Sequence, residues 1–149
     1  REKEENLYSE FKEKCDEIVK QQQYFLFCNQ CLNQKSSRYN QEKCNCGADF
    51  VFAGPLWTGK LSDEKLLEKM VKNNPFPEEQ KLLDLLREES KIEVLGFTDL
   101  HELARIQKVN PPKMELALKK LKAVRTHFSL TGIKSDLPLE KIKSLLFKI

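Results

Sequence analysis

The 149-residue sequence predicts an α+β fold in two parts: a small β element organised by cysteines, then a mostly helical domain. Three observations carry this. Four of the five cysteines fall between two short apolar runs, at positions 28 to 46. From residue 61 onward apolar residues recur at helical spacing, interrupted by prolines. Near the end, AVRTHFSLTGIKSD alternates with a period of two around a glycine turn.

Residues 1–20 read as a helix dense in Glu and Lys. Leu7, Phe11, Cys15 and Ile18 fall on one stripe, so Cys15 is expected as a small buried apolar residue. In residues 21–60 the run Tyr24 to Phe27 leads into Cys28-Asn-Gln-Cys31. Cys44-Asn-Cys46-Gly47 follows, then a second apolar run ending at Phe52. Two short strands, each with a cysteine pair at its turn, are the layout of a zinc ribbon. Four thiolates close a tetrahedral shell around zinc, and Gly47 supplies the positive φ of a knuckle. The second pair is C-x-C, with a tighter bite than C-x-x-C; reduced core thiols or a labile disulfide are the other readings. A closed four-cysteine site has no open coordination position for catalysis, so its expected role is to staple the fold.

AGPLWTGKLSDEK reads as a connection ending at a helix start, with Ser62 as N-cap and Asp63 and Glu64 in the first turn. A helix from Asp63 to Lys72 carries Leu66, Leu67, Met70 and Val71. NNPFPEE breaks it, and a second helix runs from about Glu78 to Glu89 with Leu82, Leu85 and Leu86. Thr98 can cap a third helix bearing Leu100, Leu103, Ala104 and Ile106. Asn110-Pro111 marks a stop and a new start, with proline in the first turn of a helix carrying Met114, Ala117, Leu118 and Leu121. Two short helices with a tight turn make a helix-turn-helix candidate. The alternating stretch after them is expected as a hairpin, with Arg125 and His127 on one face, Phe128 toward the core and Ile133-Lys134-Ser135 returning. Pro138 opens a final helix with Leu139, Ile142 and Leu146 inward. Residues 61–149 therefore predict a winged helix.

The net charge of +3 hides an asymmetry: residues 1–100 hold 15 Lys+Arg against 19 Asp+Glu, and residues 101–149 hold 11 against 4. A basic C-terminal third fits a polyanion, or else a solvated lysine surface. Lys119, Lys122, Arg125, His127 and Lys134 are the candidate phosphate contacts. No apolar run reaches the length of a membrane span, and no export pattern opens the chain, which points to a cytoplasmic protein. Beginning at an arginine inside a helical pattern, the chain reads as part of something longer. Asn74-Pro-Phe76 and Asn110-Pro-Pro-Lys113 imitate the Asn/Asp-Pro-Pro-aromatic loop of amino-methyltransferases. Both follow helical patterns and not buried strands, so they read as helix punctuation. The five glycines show no nucleotide-cradling spacing, and no nucleophile system stands out, so no catalytic residue is assigned in this chain.

YFLFCNQCLNQ…CNCGADFVFAGPLWTGKLSDEKLLEKM together with RTHFSLTGIKSD resembles the C-terminal domain of tRNA (guanine-26 N2)-dimethyltransferases over most of residues 20–149. The resemblance implies S-adenosylmethionine-dependent methylation of a guanine amine in tRNA by an N-terminal Rossmann-like domain. That domain, in cis or as a separate chain, is not in this sequence. Residues 1–20 would then be the bridging helix to it, and 61–149 a tRNA-binding subdomain. Cys28, Cys31, Cys44 and Cys46 would match the family's metal-type cysteines; Arg125, His127, Phe128, Gly132 and Lys134 match its terminal signature. Two other classes remain open on the residues alone: a zinc-ribbon and winged-helix DNA-binding protein of transcription-factor type, and a protein-interaction module.

Overall fold

The aromatic run before the first cysteine forms β1 (Gln22–Phe27) in the computed structural model, which describes residues 2–40 and 42–147. Contacts divide the chain into two units, Arg1–Cys28 with Gln34–Gly59, and Asn29–Asn33 with Lys60–Ile149.

In the first unit α1 (Glu2–Lys20) precedes an antiparallel sheet of order β2-β1-β3, with β2 at Gln34–Ser37 and β3 at Val51–Trp57. Leu26 pairs with Lys35 on one side and Phe52 on the other, and is fully buried. Three strands form where the sequence suggested two, because Gln34–Ser37 pairs with β1 as β2; the run expected to end at Phe52 also continues, with Ala53-Gly-Pro-Leu-Trp57 as strand and not connection. The Gly54-Pro55 pair makes this possible as a bulge. Gln23 pairs with Leu56 and Phe25 with Ala53, so two residues of β3 oppose one of β1. Gly54 sits at φ 121°, and a Cβ there would lie 2.8 Å from Leu56 N. Pro55 lacks an N–H, which an edge strand tolerates at a bulge. The Gln21 carbonyl accepts from both Thr58 N and Thr58 Oγ1, each at 2.7 Å, tying the end of α1 to the end of β3.

The α1 stripe does not enter a core. Leu7, Phe11 and Ile18 are exposed and Cys15 is half-buried, so Cys15 is not the buried residue its spacing suggested. Among the described residues the buried apolar set of this unit is Leu26, Cys28, Cys44 and Phe50. Two of the four are cysteines.

The second unit holds α2 (Glu64–Lys72), a 3-10 turn at Pro77–Glu79, α3 (Gln80–Glu89), β4 (Thr98–Asp99), α4 (Leu100–Gln107), α5 (Met114–Leu121), β5 (Val124–Arg125), β6 (Gly132–Lys134) and α6 (Leu139–Phe147). Its core gathers Leu100, Leu103, Ala117, Leu121, Ile133 and Ile142, the inward positions of α4, α5, β6 and α6. Leu139 and Leu146 pack against it as expected. The short sheet has the order β4-β6-β5, all antiparallel.

Three helix starts differ from the sequence reading. Asp63, not Ser62, caps α2 by accepting from Leu66 N at 3.1 Å, and Asp99, not Thr98, caps α4. A carboxylate satisfies the first amides and also meets the positive end of the helix dipole. Pro111 and Pro112 precede α5 instead of entering its first turn, with Lys113 at the cap position. The hairpin also differs. Its outgoing strand is only Val124-Arg125, paired with Gly132–Lys134; Thr126 to Thr131 is a loop held largely by side-chain bonds.

Candidate functional site

Cys28 directly follows β1, Cys31 lies in the turn after it, and Cys44 precedes and Cys46 sits within the turn that leads to Gly47. Their four Sγ atoms all lie within 4.8 Å of one another, with Cys28 and Cys46 at 3.5 Å. The second turn is built by Gly47 N on the Cys44 carbonyl and Cys44 N on the Ala48 carbonyl, both 2.8 Å, with Gly47 at φ 89°. The one-residue gap of the C-x-C pair is thus absorbed by a tight glycine turn. Zn–S bonds of about 2.3 Å in a tetrahedron put sulfurs a little under 4 Å apart. Donor type, number and spacing fit a metal ion held by four thiolates. Burial fits too, since Cys28 is fully buried and Cys44 5% exposed while Cys46 faces solvent.

The basic residues divide. Lys119, Lys122 and Arg125 are exposed, the first in the last turn of α5, the second its left-handed cap at φ 50°, the third on β5. Among the described residues none of these three is in a salt bridge. Lys134 is different: it was grouped with them as a phosphate contact, but it is 7% exposed and its Nζ sits 2.8 Å from Glu89 Oε1. A phosphate would have to displace that carboxylate, so Lys134 is an internal counter-ion. His127 is exposed as a residue, but its side chain is only 32% exposed and its Nδ1 lies 2.7 Å from Glu89 Oε2.

Glu89, the last residue of α3, was not singled out from the sequence. It is 5% exposed and accepts from Lys134 Nζ, His127 Nδ1, His127 N at 3.0 Å and Thr126 Oγ1 at 3.1 Å. Burial works to raise its pKa, but the hydrogen bonds from Lys134 and then His127 outweigh it and hold the carboxyl at about 2. A signal was present: Glu89 follows Leu85 by four and Leu86 by three, on the apolar face of α3.

A second carboxylate holds the other end of the loop. Asp99 Oδ1 accepts from His101 N and Glu102 N at 2.9 and 3.1 Å, and its Oδ2 from Thr131 Oγ1 and Ser129 Oγ at 2.6 and 3.1 Å. Burial pushes its pKa up, yet the Thr131 hydroxyl and then Glu102 N bring it below the usual range. Gly132 is required where the loop closes, because a Cβ would lie 2.6 Å from Thr126 Cγ2 and 2.8 Å from Phe97 Cδ2. The segment Thr126–Gly132 is therefore pinned at both ends by a carboxylate, the buried Glu89 at one and the half-buried Asp99 at the other. Phe128, expected inward, is 65% exposed; Thr126 takes the buried place beside Glu89.

Among the described residues no helix is long and apolar enough to cross a membrane. A profile of the family described as N2,N2-dimethylguanosine tRNA methyltransferase matches residues 8–147. The curated tRNA (guanine(26)-N(2))-dimethyltransferase of Methanobrevibacter smithii is 34% identical, over 94% of this chain and 41% of its own length. The tRNA (guanine(26)-N(2)/guanine(27)-N(2))-dimethyltransferase of Aquifex aeolicus is 36% identical, over 87% of this chain and 36% of its own. The solved complex of Trm1 from Pyrococcus horikoshii with S-adenosyl-L-methionine matches at a TM-score of 0.72 and 27% identity, over 88% of this chain and 36% of that one. The chain spans about two fifths of the length of these curated relatives.

Proposed function

Because the chain belongs to the N2,N2-dimethylguanosine tRNA methyltransferase family, we propose that it is the C-terminal, tRNA-binding part of an S-adenosylmethionine-dependent tRNA (guanine-26 N2)-dimethyltransferase. In this reading it positions tRNA for methylation by a catalytic domain outside this chain, joined in cis or supplied separately, and S-adenosylmethionine binds there. The observation that carries it is the match of nearly the whole chain to about two fifths of enzymes that bear that name. A cytoplasmic location goes with it.

Within the chain the roles divide by exposure. Lys119, Lys122, Arg125 and His127 are the proposed tRNA contacts, phosphate neutralisation being the main source of such affinity. Lys134 holds the loop and does not touch RNA. The order α3-β4-α4-α5-β5-β6, with β6 between the other two strands, supports reading the second unit as a winged helix whose wing is the β5–β6 loop. Cys28, Cys31, Cys44 and Cys46 would hold zinc as a structural ion; three of them, Cys28, Cys44 and Cys46, belong to the first unit, whose other buried apolar residues are only Leu26 and Phe50 among those described. Small units lacking a core rely on such a staple.

The test is binding of the chain to tRNA and to a DNA duplex of equal length across a salt series. We expect preference for tRNA with a steep salt dependence, and a slope reduced by about one for each of Lys119→Ala, Lys122→Ala and Arg125→Ala. Equal or tighter binding to duplex DNA would instead favour the transcription-factor alternative. Salt-independent binding, or none, would sink the tRNA reading.

A further inference from the structure

The crest of the β5–β6 loop carries two exposed apolar residues, Phe128 at 65% and Leu130 at 91%. A single exposed aromatic needs no explanation, but Phe128 is fixed in place. The Phe97 ring lies parallel to it, at 6.1 Å between centroids and 9° between planes, and the His127 ring sits at 3.9 Å. Each support is itself held. Glu89 takes both the backbone N–H and Nδ1 of His127, Phe128 N meets Thr126 Oγ1 at 3.3 Å, and the missing Cβ of Gly132 admits Phe97. Two carboxylates, Glu89 buried and Asp99 half-buried, thus hold an aromatic ring out of the core, with the ordering entropy of the ring already lost before any partner arrives.

What would meet such a ring is set by the surrounding charge. From Val124 to Ser135 the chain has no acidic residue, and Arg125 stands exposed on the strand leading in. Lys119 and Lys122 close the helix before it, while Glu89 and Asp99, which face the loop from α3 and β4, are engaged in its hydrogen bonds. A flat apolar partner bearing negative charge alongside is a nucleobase on its phosphate backbone. We propose that Phe128, backed by Phe97 and flanked by His127, is the stacking platform for one unpaired base of the bound tRNA. This rests on the tRNA-binding reading above.

The experiment titrates the full chain and its Phe128→Ala, Phe128→Trp and Arg125→Ala variants with tRNA at several salt concentrations. Phe128→Ala should weaken binding about 5- to 150-fold, the span seen when a base-stacking aromatic is truncated. Its salt slope should stay that of the parent, because no charge is lost. Phe128→Trp should keep parental affinity and show indole quenching on tRNA addition, beyond the Trp57 background measured in the parent. If Phe128→Ala binds within about twofold of the parent while Arg125→Ala weakens binding, the platform is wrong and the tRNA reading stands. If the parent itself shows no salt-dependent affinity for tRNA, both fall.

Discussion

Glu89→Gln tests the loop clamp most directly. The carboxylate is 5% exposed and receives Lys134 Nζ at 2.8 Å and His127 Nδ1 at 2.7 Å. Glutamine keeps the shape and one oxygen, but leaves Lys134 buried with its charge unpaired. Removing one partner of a buried ion pair costs about 3–5 kcal/mol. Titration gives a second figure. A carboxyl held at about 2 against an ordinary 4.5 contributes on the order of 3 kcal/mol at neutral pH, less wherever water screens it. The two converge on about 2–4 kcal/mol. Since the folded-state pKa lies below the unfolded one, this stability is complete above pH 4.5 and lost as pH falls toward 2. The stability difference between parent and variant should therefore be full near neutrality and shrink toward zero as pH falls through about 2, below which the parent carboxyl is also neutral. Urea unfolding followed by circular dichroism across that range measures it, with hydrogen exchange of the His127 amide as a local probe. A difference below about 1 kcal/mol, or one that does not change with pH, would refute the clamp.

Metal binding at the four cysteines should appear as cobalt–thiolate charge-transfer absorption at one equivalent, and Cys44→Ser should abolish it and loosen the first unit; no absorption at one equivalent contradicts the site. Gly132→Ala should destabilise the second unit by about 1–3 kcal/mol, read by the same urea titration, because its Cβ meets Thr126 and Phe97. Asp99→Ala removes the α4 cap and strands two hydroxyls, for a loss of about 2–4 kcal/mol; a change of only a few tenths would show that the cap and the Ser129 and Thr131 bonds carry little.

Much of the architecture was legible because it follows from periodicity. The apolar runs around the cysteines, the i, i+3, i+4 spacing of Met114, Ala117, Leu118 and Leu121, and the inward Ile142 all depend on local pattern alone. Reading failed where tertiary partners decide. Gly54-Pro55 looks like a break in sequence, yet a bulge lets the strand run through it. The alternation after Arg125 suggested a longer hairpin strand; β5 and β6 do pair, but beyond Arg125 hydroxyl and carboxylate bonds replace the ladder and send Phe128 outward. Lys134 looked like its basic neighbours because nothing near it in sequence announces Glu89. Only the placement of Glu89 on a leucine face hinted at an internal charge.

The clamp also sets an order of events during synthesis. Glu89 leaves the ribosome 37 and 38 residues ahead of Thr126 and His127, and its lysine follows later still. Until then an ionised carboxylate at the end of α3 has no donor to meet it, and burying it alone is strongly unfavourable. The helix end must wait in water while α4 and α5 emerge and pack. Docking of α3 and ordering of the loop then become one late, long-range step, of the kind that slows folding. A nascent chain thus keeps its aromatic crest unformed until almost the last strand has been made.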